Sequence, residues 1–272
     1  MKRDHGTCVT ARASVRDNIF QVVPFPRERH IIVDGLAIGV RRHIVQGLLQ
    51  VDVTRARQFI REHKARTGET LSFTAFVVAC AARAVDTHKH VQAYRDWRNR
   101  LIIFDDVDVV VMIESEVNHV AIPHIIRAAN QKSFRAIHDE IRAVQMRPAQ
   151  SEQQSGWLMR LAPYVPSFVR RLFIWTRLKN PHWFKQNSGT VVVTAFGMFG
   201  RGGGWGVGIL PFHTLGIALG GIAEKPGVVD GRVEIREYLD LTVSVDHDIV
   251  DGAPAARFAR ALVELIESGV NE

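Results

Sequence analysis

His247 stands in the run L-T-V-S-V-D-H-D-I-V-D-G-A-P (residues 241–254), with carboxylates on both sides of it at Asp246 and Asp248 and a third at Asp251. An imidazole is the side chain whose ordinary pKa lets it take and return a proton near neutrality, so a histidine held in a tight turn is a candidate general base. An H-x-x-x-D-G string alone is only a hypothesis. Its surroundings strengthen it. Leu241, Val243 and Val245 alternate with Thr242 and Ser244, the period of a half-buried strand. After Asp251-Gly252 the spacing of Phe258, Leu262, Leu265 and Ile266 predicts a helix with one apolar face.

The rest of the composition narrows the chemistry. The chain has 272 residues, 46% hydrophobic and 23% charged, enough for a substantial core in one large or two small domains. Two cysteines, Cys8 and Cys80, give neither a disulfide framework nor a metal-ligand spacing. Cys80 lies in the apolar run F-T-A-F-V-V-A-C-A-A, which predicts a buried structural thiol. The N-terminal residues lack the apolar core of a signal peptide, and residues 202–223 are too rich in glycine for a membrane helix. A cytoplasmic, reducing compartment is expected.

The formal net charge is +7, and no acidic residue occurs from Gln153 to Ala223. Such a one-signed stretch suits an anionic partner: a phosphorylated cofactor, a membrane surface, an acidic protein or a nucleic acid. An ordinary solvated basic surface is the plain alternative. No zinc-finger or RNP-like string supports nucleic acid in particular.

The elements that must position His247 follow from the pattern. Residues 1–25 read as an extended arm. Residues 44–53 predict a strand, Thr54 caps a helix through about Arg66 closed by Gly68, and Ser72 caps a buried helix over 73–87. Residues 101–104 and 107–114 are β-rich and, split by Asp105-Asp106, suggest a hairpin. A helix at about 132–145 ends before Pro148. Residues 148–187 form an insertion whose second half is basic, aromatic and amphipathic, with Phe168, Leu172, Trp175 and Leu178 at helical spacing. Burial of that stripe is the ordinary expectation. A membrane surface contacted through residues 157–179, a cover over a substrate tunnel and a neighbouring subunit are the alternatives. Strands return at 189–194, 215–222, 232–237 and 240–246. The whole reads as one α/β or α+β domain over residues 1–272.

A second block, S-G-T-V-V-V-T-A-F-G-M-F-G (188–200), taken with V-S-V-D-H-D-I-V-D-G-A, resembles the catalytic domain of the dihydrolipoamide acyltransferase component of 2-oxo acid dehydrogenase complexes. L-L-Q-V-D-V-T-R-A, L-S-F-T-A-F-V-V-A-C-A-A-R-A-V and D-V-D-V-V-V-M-I extend the resemblance upstream, over roughly residues 41–147 and 188–268. It implies a chloramphenicol acetyltransferase-like fold, a two-layer sandwich of a mixed β-sheet with helices packed on it. It also implies a homotrimer or a higher assembly of trimers, with active sites between subunits.

By that resemblance His247 is the general base that deprotonates the thiol of coenzyme A or dihydrolipoamide. Thr194 stands where the family usually has a serine hydroxyl that stabilises the oxyanion, and Asp251 matches a mainly structural aspartate paired with an arginine. Gly252 closes the turn, and Gly197 and Gly200 shape the loop after the hydroxyl-bearing strand. Arg170, Arg171 and Arg201 are candidates for the phosphates of coenzyme A, with Trp157, Phe168 and Trp175 bordering an acyl or pantetheine channel. No metal is expected.

The sequence also departs from the family. Asp248 replaces the arginine that commonly follows the histidine. No lipoylation turn or subunit-binding segment is recognisable, so lipoyl groups would have to come in trans, from separate chains. The expectation is a stand-alone acyltransferase acting on acyl-coenzyme A and a small-molecule thiol, hydroxyl or amine, or on a lipoyl acceptor. The alternatives are a transacylase subunit served by such lipoyl domains and a non-catalytic oligomeric scaffold.

Overall fold

The computed structural model describes residues 14–15, 18–19, 21–26, 29–114, 121–147, 165–196 and 202–270. Strands β1 (Ser14–Val15) and β2 (Asn18–Ile19) pair with each other in the predicted arm, and residues 21–26 are exposed and irregular. Helix α1 (Arg29–Gly39), unpredicted, leads into β3 (Ile44–Asp52).

Helix α2 (Thr54–Thr67) ends at Gly68, whose φ of 78° closes it with a hydrogen bond back to the Lys64 carbonyl. Thr54 is not its cap. It is the first helical residue, and its hydroxyl instead accepts the main-chain N–H of Glu237 at 2.9 Å. Ser72 does cap α3 (Phe73–Thr87), accepting from Ala75 N at 3.2 Å. That helix is buried almost all round, as an uninterrupted apolar run requires.

The expected hairpin between 101–104 and 107–114 does not form. β5 (Leu101–Ile102) pairs with β4 (Tyr94–Arg95), while β6 (Val109–Glu114) pairs with β7 (Ala121–Ile126). Asp105-Asp106 therefore separates two sheets instead of turning within one. Helix α4 (Phe134–Met146) is capped by Ser133, and Pro148 lies outside the described residues. In the insertion, α5 (Ser167–Leu178) and α6 (Pro181–Ser188) precede β8 (Val191–Ala195). β9 (Leu215–Val229) then turns into β10 (Arg232–Asp246). The two strands expected at 232–237 and 240–246 are one, interrupted only by a register shift at Asp240. Helix α7 (Gly252–Glu267) closes the described chain.

The main sheet runs β3-β10-β9-β8-β6-β7, with β8 parallel to both neighbours and the other pairs antiparallel. Val191, Val193, Leu215, Ile217, Leu241, Val243 and Val245 turn one face into the core beneath α3, α4 and α7. Phe258, Leu262 and Ile266 of α7 are fully buried there, each worth roughly 1.5–3 kcal/mol over exposure. Cys80 sits in this core, and burial pushes its thiol up to about 12, which leaves it unreactive. The opposite face carries small and polar residues: Thr194, Ala218 and Thr242 form one row, and Gly216 and Ser244 the next.

Candidate active site

His247 is the first residue past β10, so the strand's pairing sets its position. Val245 and Asp246 are still in register with β3, and the His247 N–H donates to the His43 carbonyl at 2.9 Å. The turn is then closed by the N–H groups of Ile249 and Val250, which both donate to the Asp246 carbonyl. Its main chain is fixed, while its side chain stands exposed.

Asp246 organises this turn. It is 3% exposed; its Oδ1 accepts the Asp248 N–H at 3.2 Å, and its Oδ2 accepts from Arg42 Nε at 3.0 Å and from Arg42 Nη2. Arg42 Nη1 donates in addition to the His213 carbonyl at 2.7 Å. The sequence pointed to an arginine partner for Asp251, but within this chain the arginine holds Asp246 instead. The Asp251 side chain makes no capping hydrogen bond; only its carbonyl serves α7, accepting from Ala255 N at 3.1 Å. Gly252 is the first residue of α7, and a Cβ there would meet nothing within 4 Å, so the turn itself does not require glycine.

His213 lies below Arg42, 8% exposed, with Nε2 at 2.8 Å from the Ser188 carbonyl and its ring against Phe184. Burial, aided by the nearby Arg42 charge, pushes it down to about 4 in spite of the Ser188 hydrogen bond. It is neutral at physiological pH. Asp248 behaves differently from Asp246. Its exposed carboxylate meets His43 Nδ1 at 2.8 Å. Arg42 and His43 adjoin in the chain, and each serves one of the two carboxylates that flank His247.

Thr194 is half-buried on β8, on the small-residue face of the sheet. The register puts it level with Ala218 and, one strand further, Thr242. His247 is therefore two strands across and five residues along, about 19 Å away at ordinary strand spacings. No single substrate carbonyl spans that gap, since a catalytic hydrogen bond reaches about 3 Å. Thr242 Oγ1, in the same row as Thr194, is buried without a hydrogen-bond partner.

Segment 202–212 lies over this face of the sheet. Gly204 N donates to Asp240 Oδ2 at 2.6 Å, Trp205 Nε1 to the Leu49 carbonyl at 3.0 Å, and Gln46 Nε2 to the Gly208 carbonyl at 2.8 Å. A Cβ on Gly220 would come within 2.2 Å of the Gly204 carbonyl, so the contact depends on glycine. Gly197, Gly200, Arg201 and Trp157 lie outside the described residues.

Arg170 and Arg171 are brought together, but onto a carboxylate of their own chain. Their Nε atoms each lie 2.7 Å from an oxygen of Asp34 on α1. Burial raises the Asp34 carboxyl, but the hydrogen bonds from Arg171 and Arg170 outweigh it and hold the group below the usual range. Nor does the α5 stripe enter the core: Phe168, Leu172 and Trp175 are exposed, and only Leu178 packs inward, against the Tyr94–Phe104–Phe184 cluster.

Among the described residues one group, Glu69, His138 and Asp139, has the spacing of metal ligands. Arg135 and His63 already engage Glu69, holding its carboxyl at about 2, and His138 Nδ1 accepts the Ser72 N–H. The group is an ion-pair and hydrogen-bond cluster that ties α4 to the turn between α2 and α3.

The family model described as 2-oxoacid dehydrogenases acyltransferase (catalytic domain) matches residues 21–155 and 179–271. The acetyltransferase component of the pyruvate dehydrogenase complex of Mycoplasma genitalium is 23% identical over 198 residues, 72% of this chain and 44% of that protein. The lipoamide acyltransferase component of the branched-chain alpha-keto acid dehydrogenase complex of Bacillus subtilis is 22% identical over 227 residues, 81% of this chain and 46% of that protein. The chain thus spans less than half the length of these relatives. Among solved structures, a probable dihydrolipoamide acetyltransferase from Listeria monocytogenes superposes with a TM-score of 0.69 at 18% identity, covering 92% of this chain and 96% of that one. A chloramphenicol acetyltransferase gives 0.51 at 15% identity, over 89% and 96%. These two likenesses establish the fold.

Proposed function

Because the chain belongs to the family of 2-oxoacid dehydrogenase acyltransferase catalytic domains, we propose that it transfers an acyl group between coenzyme A and an acceptor thiol at a site shared by two subunits. His247 takes the proton of the attacking thiol. With a reference pKa near 8.5 a thiol is mostly protonated at neutral pH, and only the thiolate attacks, so a positioned base is required. Attack on the thioester carbonyl builds charge on oxygen, and the Thr194 hydroxyl donates to it. The tetrahedral adduct then collapses, and His247 returns its proton to the departing thiolate.

The observation that carries this reading is the separation of the two side chains. His247 and Thr194 sit about 19 Å apart on one sheet, yet His247 is exposed and Thr194 half-buried, each ready to face another chain. A cyclic trimer joins the His247 end of one subunit to the Thr194 face of the next. Arg201 and Arg171, which is half-exposed although bound to Asp34, meet the coenzyme A phosphates. Arg170, 10% exposed and bound to Asp34, is committed to holding α5.

A dihydrolipoyl thiol, the group named in relatives of this family, is the proposed acceptor, supplied by a lipoyl domain on another chain. The exposed Asp248 carboxylate beside His247 favours a second reading, in which the acceptor is an amine or hydroxyl drawn by that charge. Thiol release from acyl-coenzyme A donors, measured against dihydrolipoamide, amine and hydroxyl acceptors, tests both. No thiol release above background from the wild-type chain with any acceptor would leave it a scaffold with the fold alone, and turnover that survives His247→Ala unchanged would remove His247 as the base.

A further inference from the structure

We infer that α1 and α5 form an inside-out helix pair that seats the protein on a membrane surface rich in anionic lipid. In α5 no residue is buried, and Phe168, Leu172 and Trp175, at i, i+4 and i+7, are 72%, 60% and 55% exposed. In α1, Ile32 and Leu36, continued by Val40 just past its end, form a second outward stripe, 52%, 38% and 67% exposed, flanked by Val33. Between the two helices lies a buried carboxylate: Asp34 is 1% exposed, and Arg170, 10% exposed, and Arg171, half-exposed, close on it. A helix against water turns its apolar stripe to the core and its charges outward. Here the apolar stripe faces outward in two helices joined by one ion-paired cluster.

Close packing fixes this arrangement. A Cβ at Gly35 would stand 2.8 Å from the Phe212 ring, and one at Gly39 would stand 2.7 Å from Pro211 Cα, so α1 lies tight against segment 209–212 by its glycine face. Its outward stripe is thus set by the fold.

Charge identifies the occupant. Around α5 the exposed apolar side chains are rimmed by cations: Arg177 stacks on Phe173 and Trp183 at 4.9 and 5.0 Å, and Lys179 lies 5.9 Å from the Trp175 ring. No acidic residue occurs between Gln153 and Ala223 to oppose them. Aromatic rings with adjacent arginine and lysine, over an apolar stripe, match the boundary between anionic headgroups and acyl chains. A second copy seated face to face would set these cations against their own equivalents. The family model skips residues 156–178, which contain α5, so the α5 half of this surface lies outside the shared catalytic fold, while α1 lies within the matched residues. No helix among the described residues is long and apolar enough to cross a membrane, so the contact is with the surface.

Co-sedimentation of the full chain with vesicles tests this. The protein should bind vesicles of phosphatidylcholine containing phosphatidylglycerol, bind phosphatidylcholine vesicles far less, and be released by salt. Combined Phe168→Ser, Leu172→Ser and Trp175→Ser substitutions should lower binding at least about tenfold while the far-ultraviolet dichroism and the oligomeric mass stay unchanged. Equal binding by wild type and triple variant, or none by wild type, would overturn the inference. A triple variant of smaller oligomeric mass would overturn it too, and would make a second copy the occupant.

Discussion

His43 Nδ1 lies 2.8 Å from Asp248 Oδ1, while the carbonyl of the same histidine accepts the His247 N–H at 2.9 Å. One residue of β3's entry thus holds the main chain of the candidate base and the carboxylate next to it. The carboxylates flanking His247 have divided tasks. Asp246, buried on Arg42, fixes the turn, and Asp248 faces solvent.

The exposed pair should matter for acceptor choice more than for folding. An ion pair this open contributes about 0–1 kcal/mol. Asp248→Asn and His43→Ala are each expected to leave the denaturation midpoint nearly unmoved. Asp248→Asn should raise KM for amine acceptors several-fold and His43→Ala, which frees the carboxylate, should lower it, with kcat on dihydrolipoamide little changed. An unaltered ratio of amine to thiol KM in both variants would remove Asp248 from acceptor recognition.

The buried pair should matter for stability. Arg42→Met leaves Asp246 without its guanidinium partner and the His213 carbonyl without its donor. Breaking such a pair costs on the order of 3 kcal/mol. Urea denaturation should report that loss, and turnover should fall with it because the turn carrying His247 loosens. Full stability in Arg42→Met would mean that β10 pairing alone holds the turn.

His213 gives stability a pH dependence of known sign. Its pKa is about 4 folded and about 6.5 unfolded, so the unfolded chain binds the extra proton between those values. The contribution is complete above pH 6.5 and disappears as pH falls towards 4, amounting at most to about 3 kcal/mol. Denaturation at pH 7 and pH 5 should show a smaller drop for His213→Gln than for wild type. An identical drop would show that other groups carry the acid sensitivity.

Where the signal was local, the sequence disclosed it. Ser72, Gly68, the alternation before His247 and the Phe258–Leu262–Ile266 stripe each act within a few residues, and each stands where its pattern puts it. The expected hairpin at 101–114 does not form because pairing partners are chosen by the whole sheet: β6 pairs with β7 and β8, and β5 with β4. Helix α1 escaped notice because its glycines face the body and its apolar residues face out, contrary to the usual pattern. Arg170 with Asp34, Arg42 with Asp246 and His43 with Asp248 join segments 136 to 205 residues apart, and residue type alone does not announce such pairs. Each recruited a charge that the sequence left free or gave to another partner.

The shared site is tested most directly by mixing two inactive variants. His247→Ala removes the base and Thr194→Val the oxyanion donor, each expected to cost about 10²–10⁴-fold in turnover. If His247 of one subunit works with Thr194 of the next, a Thr194→Val subunit beside a His247→Ala subunit rebuilds one intact site. Random equal mixing in a cyclic trimer should then restore about a quarter of wild-type activity. Mixed assemblies no more active than the two variants alone would contradict a site built between subunits.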